Sequence, residues 1–169
     1  MKQEHIDQIN KAVAAVAAKK HINHFYFVAC GGSQAFMMPA QFMFDKELET
    51  PSGIYTSNQF VHEVPKALGE DSVVITCSHS GNTPETVKAT EMARSMGATT
   101  IALSNLVDSP LWNAAEYPIH YDWGKDADAS DLNKAVLYSL VFRILDAVAP
   151  CDKYKEGIAS VENINDVLE

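Results

Sequence analysis

The sequence predicts an α/β fold, specifically a flavodoxin-like three-layer sandwich with a five-stranded parallel sheet. Two observations support this prediction. Short β-branched and aromatic runs, typical of buried strands, alternate with longer segments whose apolar residues recur every three or four positions. Glycine, proline and small polar residues separate the two kinds of segment. Strands that alternate with helices favour a parallel sheet, because each crossover helix packs back onto one of its faces.

The first half of the chain contains three of the five predicted strands. Ile6, Ile9, Val13 and Val16 lie on one face of a first helix, and the glycine turn after the first strand is expected to place a helix N-cap at Ser33. The predicted elements are a helix to about residue 20, a strand at His24–Ala29, a helix over 34–47, a strand over 54–56, helical turns over 58–64 and a strand at Ser72–Cys77.

The second half contains two further strands and two helices. Thr83 is predicted to be an N-cap, with Pro84 at the first helical position, and Gly97 suits the left-handed residue that follows a helix. Strands are predicted over 99–103 and 117–121. Apolar residues spaced for one helical face between 137 and 148 predict a long closing helix that Pro150 ends.

Length and composition limit the classes of function. The chain has 169 residues and a formal net charge of −9, which argues against a nucleic-acid partner, because phosphate backbones are bound by basic surfaces. No apolar run suits a membrane span or a signal segment, so the cytoplasm is the expected compartment. Any bound anion has to be held locally, against the overall charge.

Cysteine and histidine spacing predicts neither disulfides nor a metal. Cys30, Cys77 and Cys151 cannot all pair within one chain, and reduced thiols are expected. No cysteine or histidine pattern has the spacing of a zinc or metalloprotease motif, and no cofactor is predicted.

The candidate site consists of two loops that follow the first and third strands. In a sheet of order 2-1-3-4-5 these strands are neighbours, and ligands bind at their carboxyl ends. Each loop leads into a helix N-terminus, which favours an anion, and serine and threonine hydroxyls add donors without any lysine or arginine. The predicted phosphate-binding residues are Gly32, Ser33, Ser78, His79, Ser80, Gly81, Asn82 and Thr83.

The alternative interpretation of these loops is ordinary turn and capping chemistry. Two such loops after neighbouring strands favour the phosphate site. The chain contains neither GxxxxGK[ST] nor GxGxxG, so the nucleotide-binding motifs do not apply.

Other residues near the predicted site have two interpretations each. His79 could act as an acid or base or could only position the substrate. Cys30 and Cys77 could be redox partners, although small buried hydrophobic residues are the favoured interpretation. Ser104, Asp108 and Ser109 could close the site or cap a helix, and the cluster Met37, Met38, Phe42 and Phe44 is expected in the core or at a subunit contact.

The loops after the first and third strands resemble those of the sugar isomerase (SIS) domain family of phosphosugar-binding proteins. The resemblance rests on Cys30-Gly31-Gly32-Ser33 and on Ser78-His79-Ser80-Gly81-Asn82-Thr83, and covers about 24–150. Within the family, the segments FYFVACGGS, SHSGNTPETVKA and DSPL are most similar to the deglycases that cleave fructoselysine 6-phosphate or glucoselysine 6-phosphate. The resemblance to the SIS domain family implies that Ser33, Ser78, Ser80 and Thr83 bind the sugar phosphate and that His79 lies beside it.

The resemblance also implies a domain organisation and a function. Residues 1–150 are expected to form an SIS phosphosugar-binding domain, and 151–169 a C-terminal helix that leads to a second SIS domain. The complete enzyme would release an amino acid and a hexose phosphate by acid and base catalysis, with a glutamate and a histidine of the second domain, so the catalytic residues of this chain are unknown. The alternatives are a stand-alone aldose–ketose isomerase and a non-catalytic sugar-phosphate sensor. A homodimer is expected.

Overall fold

The computed structural model describes residues 1–168 of the chain. Its five strands form one sheet in which every neighbouring pair is parallel, in the order β2-β1-β3-β4-β5. This confirms the predicted fold class and strand order. The strands are β1 (His24–Ala29), β2 (Ser52–Thr56), β3 (Ser72–Cys77), β4 (Thr99–Ser104) and β5 (Tyr117–His120).

Eight α-helices and one 3₁₀ helix, Ala129–Asp131, are present among residues 1–168. No helix in this range has the length and apolar character needed to cross a membrane. The α-helices are α1 (Gln3–Ala17), α2 (Gly31–Glu47), α3 (Ser57–His62), α4 (Pro84–Ser95), α5 (Pro110–Ala114), α6 (Asn133–Val148), α7 (Asp152–Glu162) and α8 (Asn165–Leu168).

The helices cover the sheet in two layers. Phe25, Phe27 and Ala29 of β1 face the larger core, which α1, α2 and α6 complete, whereas Tyr26 and Val28 face the core beneath α3 and α4. Because successive side chains of a strand point to opposite faces, a strand buried on both sides is apolar at nearly every position. The runs HFYFVA and SVVITC are apolar except at His24, Ser72 and Thr76, and their predicted bounds are those of β1 and β3.

The segment after Pro150 packs onto this domain. Tyr154 of α7 is buried in the larger core, and Gly157 lies so close to α6 that an added Cβ would be 3.0 Å from the ring of Phe142. Glu162 accepts hydrogen bonds from Ser139 and from Arg143, the latter at 2.7 Å. These contacts hold α7 against α6.

Candidate functional site

The two predicted loops meet at the carboxyl edge of the sheet. The last residues of β1 and β3, Ala29 and Cys77, pair directly, so the start of α2 lies beside the serine loop, which we define as Ser78–Thr83. A cavity of about 300 Å³ opens between them, called here the edge cavity. Its lining residues are Cys30, Gly32, Ser33, Phe36, Cys77, His79, Tyr121, Trp123 and Asn133.

The start of α2 differs from the prediction. Cys30, not Ser33, occupies the N-cap, and its side chain makes no capping hydrogen bond. The helix begins three residues earlier than expected because Gly31, with φ of +54°, makes the turn directly after β1. Ser33 therefore lies in the first helical turn and lines the edge cavity, as does Gly32. Backbone N–H groups of such a first turn have no partner within the helix and can bind an anion.

Thr83 occupies the predicted N-cap of α4, but its hydroxyl does not cap the helix. Instead, Oγ1 of Thr83 lies 2.8 Å from Oγ of Ser78, a hydrogen bond that joins the two ends of the serine loop. Ser80 also makes a hydrogen bond within the loop, since its Oγ accepts from the backbone N–H of Asn82 at 3.2 Å. The N-terminus of α4 thus has no side-chain cap, as at α2.

Gly81 holds the serine loop against the neighbouring loop. Its φ is +67°, and an added Cβ would lie 2.1 Å from Oγ of Ser109 and 2.9 Å from Oγ of Ser104. The carbonyl of Gly81 also accepts from the N–H of Leu111 at 2.9 Å. A side chain at this position would separate the two loops.

Ser104 and Ser109 lie against the serine loop at Gly81, from outside the edge cavity. Ser109 caps α5 by accepting from the N–H of Trp112 at 3.3 Å, and Ser104 bonds the backbone of Leu106. Asp108 has a positive φ of +59°. Among the residues that the structure describes, none of these three lines the edge cavity. Capping is therefore confirmed for Ser109.

His79 is the one residue of the serine loop that lines the edge cavity among those described. Its Nδ1 lies 3.0 Å from the hydroxyl of Tyr121, and its ring contacts Trp123 edge to face, with centroids 5.0 Å apart. Burial raises the pKa of Tyr121, so its phenol is neutral at physiological pH. These contacts fix the position of the imidazole while leaving the side chain exposed to the cavity.

Both cysteines at the strand ends are free thiols. Cys77 is buried, and this burial raises its pKa to about 12, against the opposing hydrogen bonds of Ser33 and Tyr121. A thiol of such high pKa is a poor nucleophile at neutral pH, because the thiolate is the reactive form. Cys77 thus behaves as a small buried hydrophobic residue.

The sequence did not single out four of the lining residues: Phe36, Tyr121, Trp123 and Asn133. Phe36 lies one turn into α2, and Asn133 begins α6. Tyr121 directly follows β5 and Trp123 comes two residues later, at the same edge of the sheet as the carboxyl ends of β1 and β3. That position after the fifth strand is the signal that could have identified Tyr121.

The methionine and phenylalanine cluster of α2 divides between two environments. Met37 and Phe44 are buried in the larger core, whereas Met38 and Phe42 are 54% and 64% exposed. The prediction of a core position is therefore confirmed for two of the four residues.

Known proteins resemble the chain in sequence and in fold. Residues 19–143 match the model of the SIS domain. Over 151 residues the chain is 46% identical to fructosamine deglycase FrlB of Bacillus subtilis (strain 168), a match that covers 89% of this chain and 46% of that protein. It is 31% identical over 140 residues to fructoselysine 6-phosphate deglycase of Escherichia coli (strain K12), covering 82% of this chain and 40% of that protein.

A solved structure extends the likeness to three dimensions. A Bacillus subtilis protein described as a candidate phosphosugar isomerase superposes with a TM-score of 0.89 at 41% identity, over 99% of this chain and 52% of that one. The chain therefore spans about half the length of the relatives that it matches.

Proposed function

This chain belongs to the SIS domain family, and we propose that it is the phosphosugar-binding domain of a deglycase acting on a sugar-amine 6-phosphate of the fructoselysine or glucoselysine type. The observation that carries the proposal is the meeting of two helix N-termini without side-chain caps at one edge of the sheet, beside a cavity of about 300 Å³. The names of the deglycase relatives described above support the choice of substrate.

In this proposal the phosphate lies between the starts of α2 and α4. Ser33 and the backbone of Gly32 bind it from one side, and Ser78, Ser80, Asn82 and Thr83 from the other. Hydrogen bonds from hydroxyls and backbone N–H groups to a charged phosphate are each worth about 1.5–3 kcal/mol. Gly81 lets the serine loop approach closely. The hydrogen bond between Ser78 and Thr83 holds the loop in one conformation, which lowers the entropy cost of binding.

The sugar carbons extend from the phosphate along the edge cavity, towards His79 and Tyr121. His79 positions the open-chain sugar, and Trp123 provides an apolar wall for its carbons. In the complete reaction, a proton leaves the sugar carbon that bears the amine, and a proton is delivered to the neighbouring carbonyl group. Water is then consumed as the amino acid leaves and a hexose phosphate remains. General acid and base catalysis is sufficient for these steps.

The acid and base of this reaction come from outside the domain, from a second SIS domain. The support for this part of the proposal is that the matched region amounts to 46% and 40% of the two deglycase relatives.

Isothermal titration with glucose 6-phosphate and fructose 6-phosphate tests the phosphate site. We expect the Ser78→Ala, Ser80→Ala double variant to bind at least about tenfold more weakly, because two hydrogen bonds to the phosphate are lost. Ser95→Ala, in the exposed last turn of α4, is the matched control and should bind like the wild type. Absence of binding, or equal binding by the double variant, would contradict the proposal. Turnover of a hexose phosphate by the chain alone would instead favour a stand-alone isomerase.

The proposed assembly is a homodimer in the cytoplasm. Exposed Met38 and Phe42 on α2 give the contact an apolar surface, and the free thiols of Cys30, Cys77 and Cys151 suit a reducing compartment. Sedimentation of the wild type and of Phe42→Ser tests the contact, since the variant should shift the chain towards monomer.

A further inference from the structure

The first turn of α1 and the end of β5 bring three potential metal ligands together. Glu4, His5 and His120 each offer a ligand atom, and these atoms all lie within 4.8 Å of one another. The ring centroids of the two histidines are 5.3 Å apart. Glu4, His5 and His120 do not line the edge cavity, and none of them is a ligand in the proposed sugar-phosphate site.

The hydrogen bond of His120 determines which of its ring nitrogens is free. Nε2 lies 2.9 Å from the backbone carbonyl oxygen of Asn105, and because a carbonyl only accepts, Nε2 carries the proton. Nδ1 of a neutral His120 is then an unprotonated acceptor. It is buried without a hydrogen-bond partner among the described residues, 3.7 Å from Oε1 of Glu4. A histidine held through one nitrogen by a backbone carbonyl, with the other nitrogen free, has the arrangement typical of a metal ligand.

His5 is fully buried, and within residues 1–168 neither of its ring nitrogens has a hydrogen-bond partner. Its Nε2 faces Oδ1 of Asp122 at 3.4 Å and Oδ1 of Asp131 at 3.8 Å. Both distances exceed those of an N–H···O hydrogen bond, about 2.7–3.2 Å. A buried imidazole without a partner is costly, and a bound cation would remove that cost.

Asp122 supplies a carboxylate oxygen to the same group. Its Oδ2 pairs with the ammonium of Lys2, so Oδ1 is left facing the histidines, 3.4 Å from Nε2 of His5 and 3.9 Å from Nδ1 of His120. Ligands bonded tetrahedrally to zinc at 2.0–2.1 Å are separated from one another by about 3.3 Å. The distances from Oδ1 of Asp122 to the two histidines, 3.4 and 3.9 Å, and from Oε1 of Glu4 to His120, 3.7 Å, exceed this value by less than 1 Å. The ligand atoms of Glu4, His5 and His120 are separated by up to 4.8 Å, so side-chain rotations have to complete the site.

We propose that Glu4, His5, His120 and Asp122 form a binding site for a divalent transition metal ion, with Zn²⁺ as the preferred ion. Two imidazoles with two carboxylates suit zinc and its neighbours, whereas Mg²⁺ and Ca²⁺ take oxygen ligands. The ion would fasten the N-terminal helix to the end of β5.

This position gives the ion a structural role close to the edge cavity. Asn105, which holds His120 through its carbonyl, donates its own backbone N–H to the carbonyl of His79 at 3.1 Å. Tyr121, the next residue after His120, contacts the ring of His79. A bound ion therefore stabilises the two segments that position His79.

Titration of the untagged, chelator-treated chain with Zn²⁺, competed against a chromogenic chelator, tests the site. We expect one ion per chain, and a dissociation constant raised by about tenfold or more in Glu4→Gln and His120→Gln. Glu4 is 60% exposed, so its variant retains the fold. Asp7→Asn is the matched control, because this exposed carboxylate of the same helix bonds only to Gln3 among the described residues.

Co²⁺ provides a second readout that does not depend on activity. Its visible absorption reports the ligand geometry, and sulfur ligation by the exposed Cys151 would be recognised by repeating the titration with Cys151→Ser. Failure of Zn²⁺ and Co²⁺ to bind the wild type would overturn the proposal. Binding that Glu4→Gln and His120→Gln leave unchanged, or that Cys151→Ser abolishes, would also overturn it.

Discussion

The hydroxyl of Tyr121 lies 3.0 Å from Nδ1 of His79, and this contact joins the end of the fifth strand to the serine loop. Because the strands are parallel, the residue after β5 and the loop after β3 lie at the same edge, with β4 between them. The orientation of the one serine-loop side chain that faces the cavity, among the described residues, thus depends on a residue 42 positions further along the chain.

Tyr121→Phe should leave the fold intact and weaken sugar-phosphate binding about fivefold, since one hydrogen bond worth about 1 kcal/mol no longer orients His79. Titration calorimetry measures the effect. Tyr154→Phe is the control, because it removes a buried tyrosine's hydrogen bond to Glu47 far from the cavity. Equal loss of affinity in both variants would show that general stability, not the orientation of His79, is responsible.

Gly81→Ala should lower the free energy of unfolding by about 2–4 kcal/mol, from the positive φ and the overlap with Ser109 together. Gly32→Ala is the matched substitution in the other loop, where an added Cβ meets nothing within 4 Å, and should not destabilise the fold. Urea denaturation measures both. A Gly81→Ala variant as stable as the wild type would mean that the serine loop and the loop containing Ser109 can move apart without loss of folding free energy.

The three cysteines should react with iodoacetamide in the order Cys151, Cys30, Cys77. Cys151 is exposed, Cys30 is partly buried at the cavity, and burial raises the pKa of Cys77 to about 12. Peptide mass spectrometry over a time course gives the rates. Glucose 6-phosphate should protect Cys30 while Cys151 serves as the internal control, and labelling of Cys77 should require unfolding. Early labelling of Cys77 would refute its buried, protonated state.

Stability should fall on acidification, in part through His24. Burial lowers the pKa of this histidine from 6.5; its ring stacks on Tyr26 at 4.1 Å, and its buried Nε2 has no hydrogen-bond partner within the described residues. The unfolded chain then binds the proton more readily, so stability is lost as the pH falls from about 6.5 through the lower folded-state pKa.

His24→Phe should therefore reduce the dependence of the free energy of unfolding on pH below about 6.5, as measured by urea denaturation at a series of pH values. The exposed His62→Gln is the control and should keep the wild-type slope. A slope that His24→Phe does not change would assign the acid sensitivity to other groups.

The sequence predicted β1 and β3 to the residue because both are short, largely apolar runs of β-branched and aromatic residues bounded by turn residues, and this pattern is local to the chain. It placed the start of α2 too late, because serine is the usual N-cap and the positive φ of Gly31 is not visible in the residue types. Thr83 was placed correctly at its N-cap, yet its hydroxyl bonds Ser78 instead of the helix.

By itself, the sequence determined the α/β fold class and the elements that carry the two polar loops, because periodicity and turn residues are local properties. The strand order, and with it the edge at which the loops meet, followed only from assuming a flavodoxin-like sheet, which the structure confirms. Only the tertiary structure decided that Tyr121 holds His79 and that His5 and His120 face each other. These residues are far apart along the chain, and their contacts arise from packing α1 and the end of β5 around a shared core. No local pattern encodes such contacts, so the partner of His79 and the proposed metal site became visible only in the folded chain.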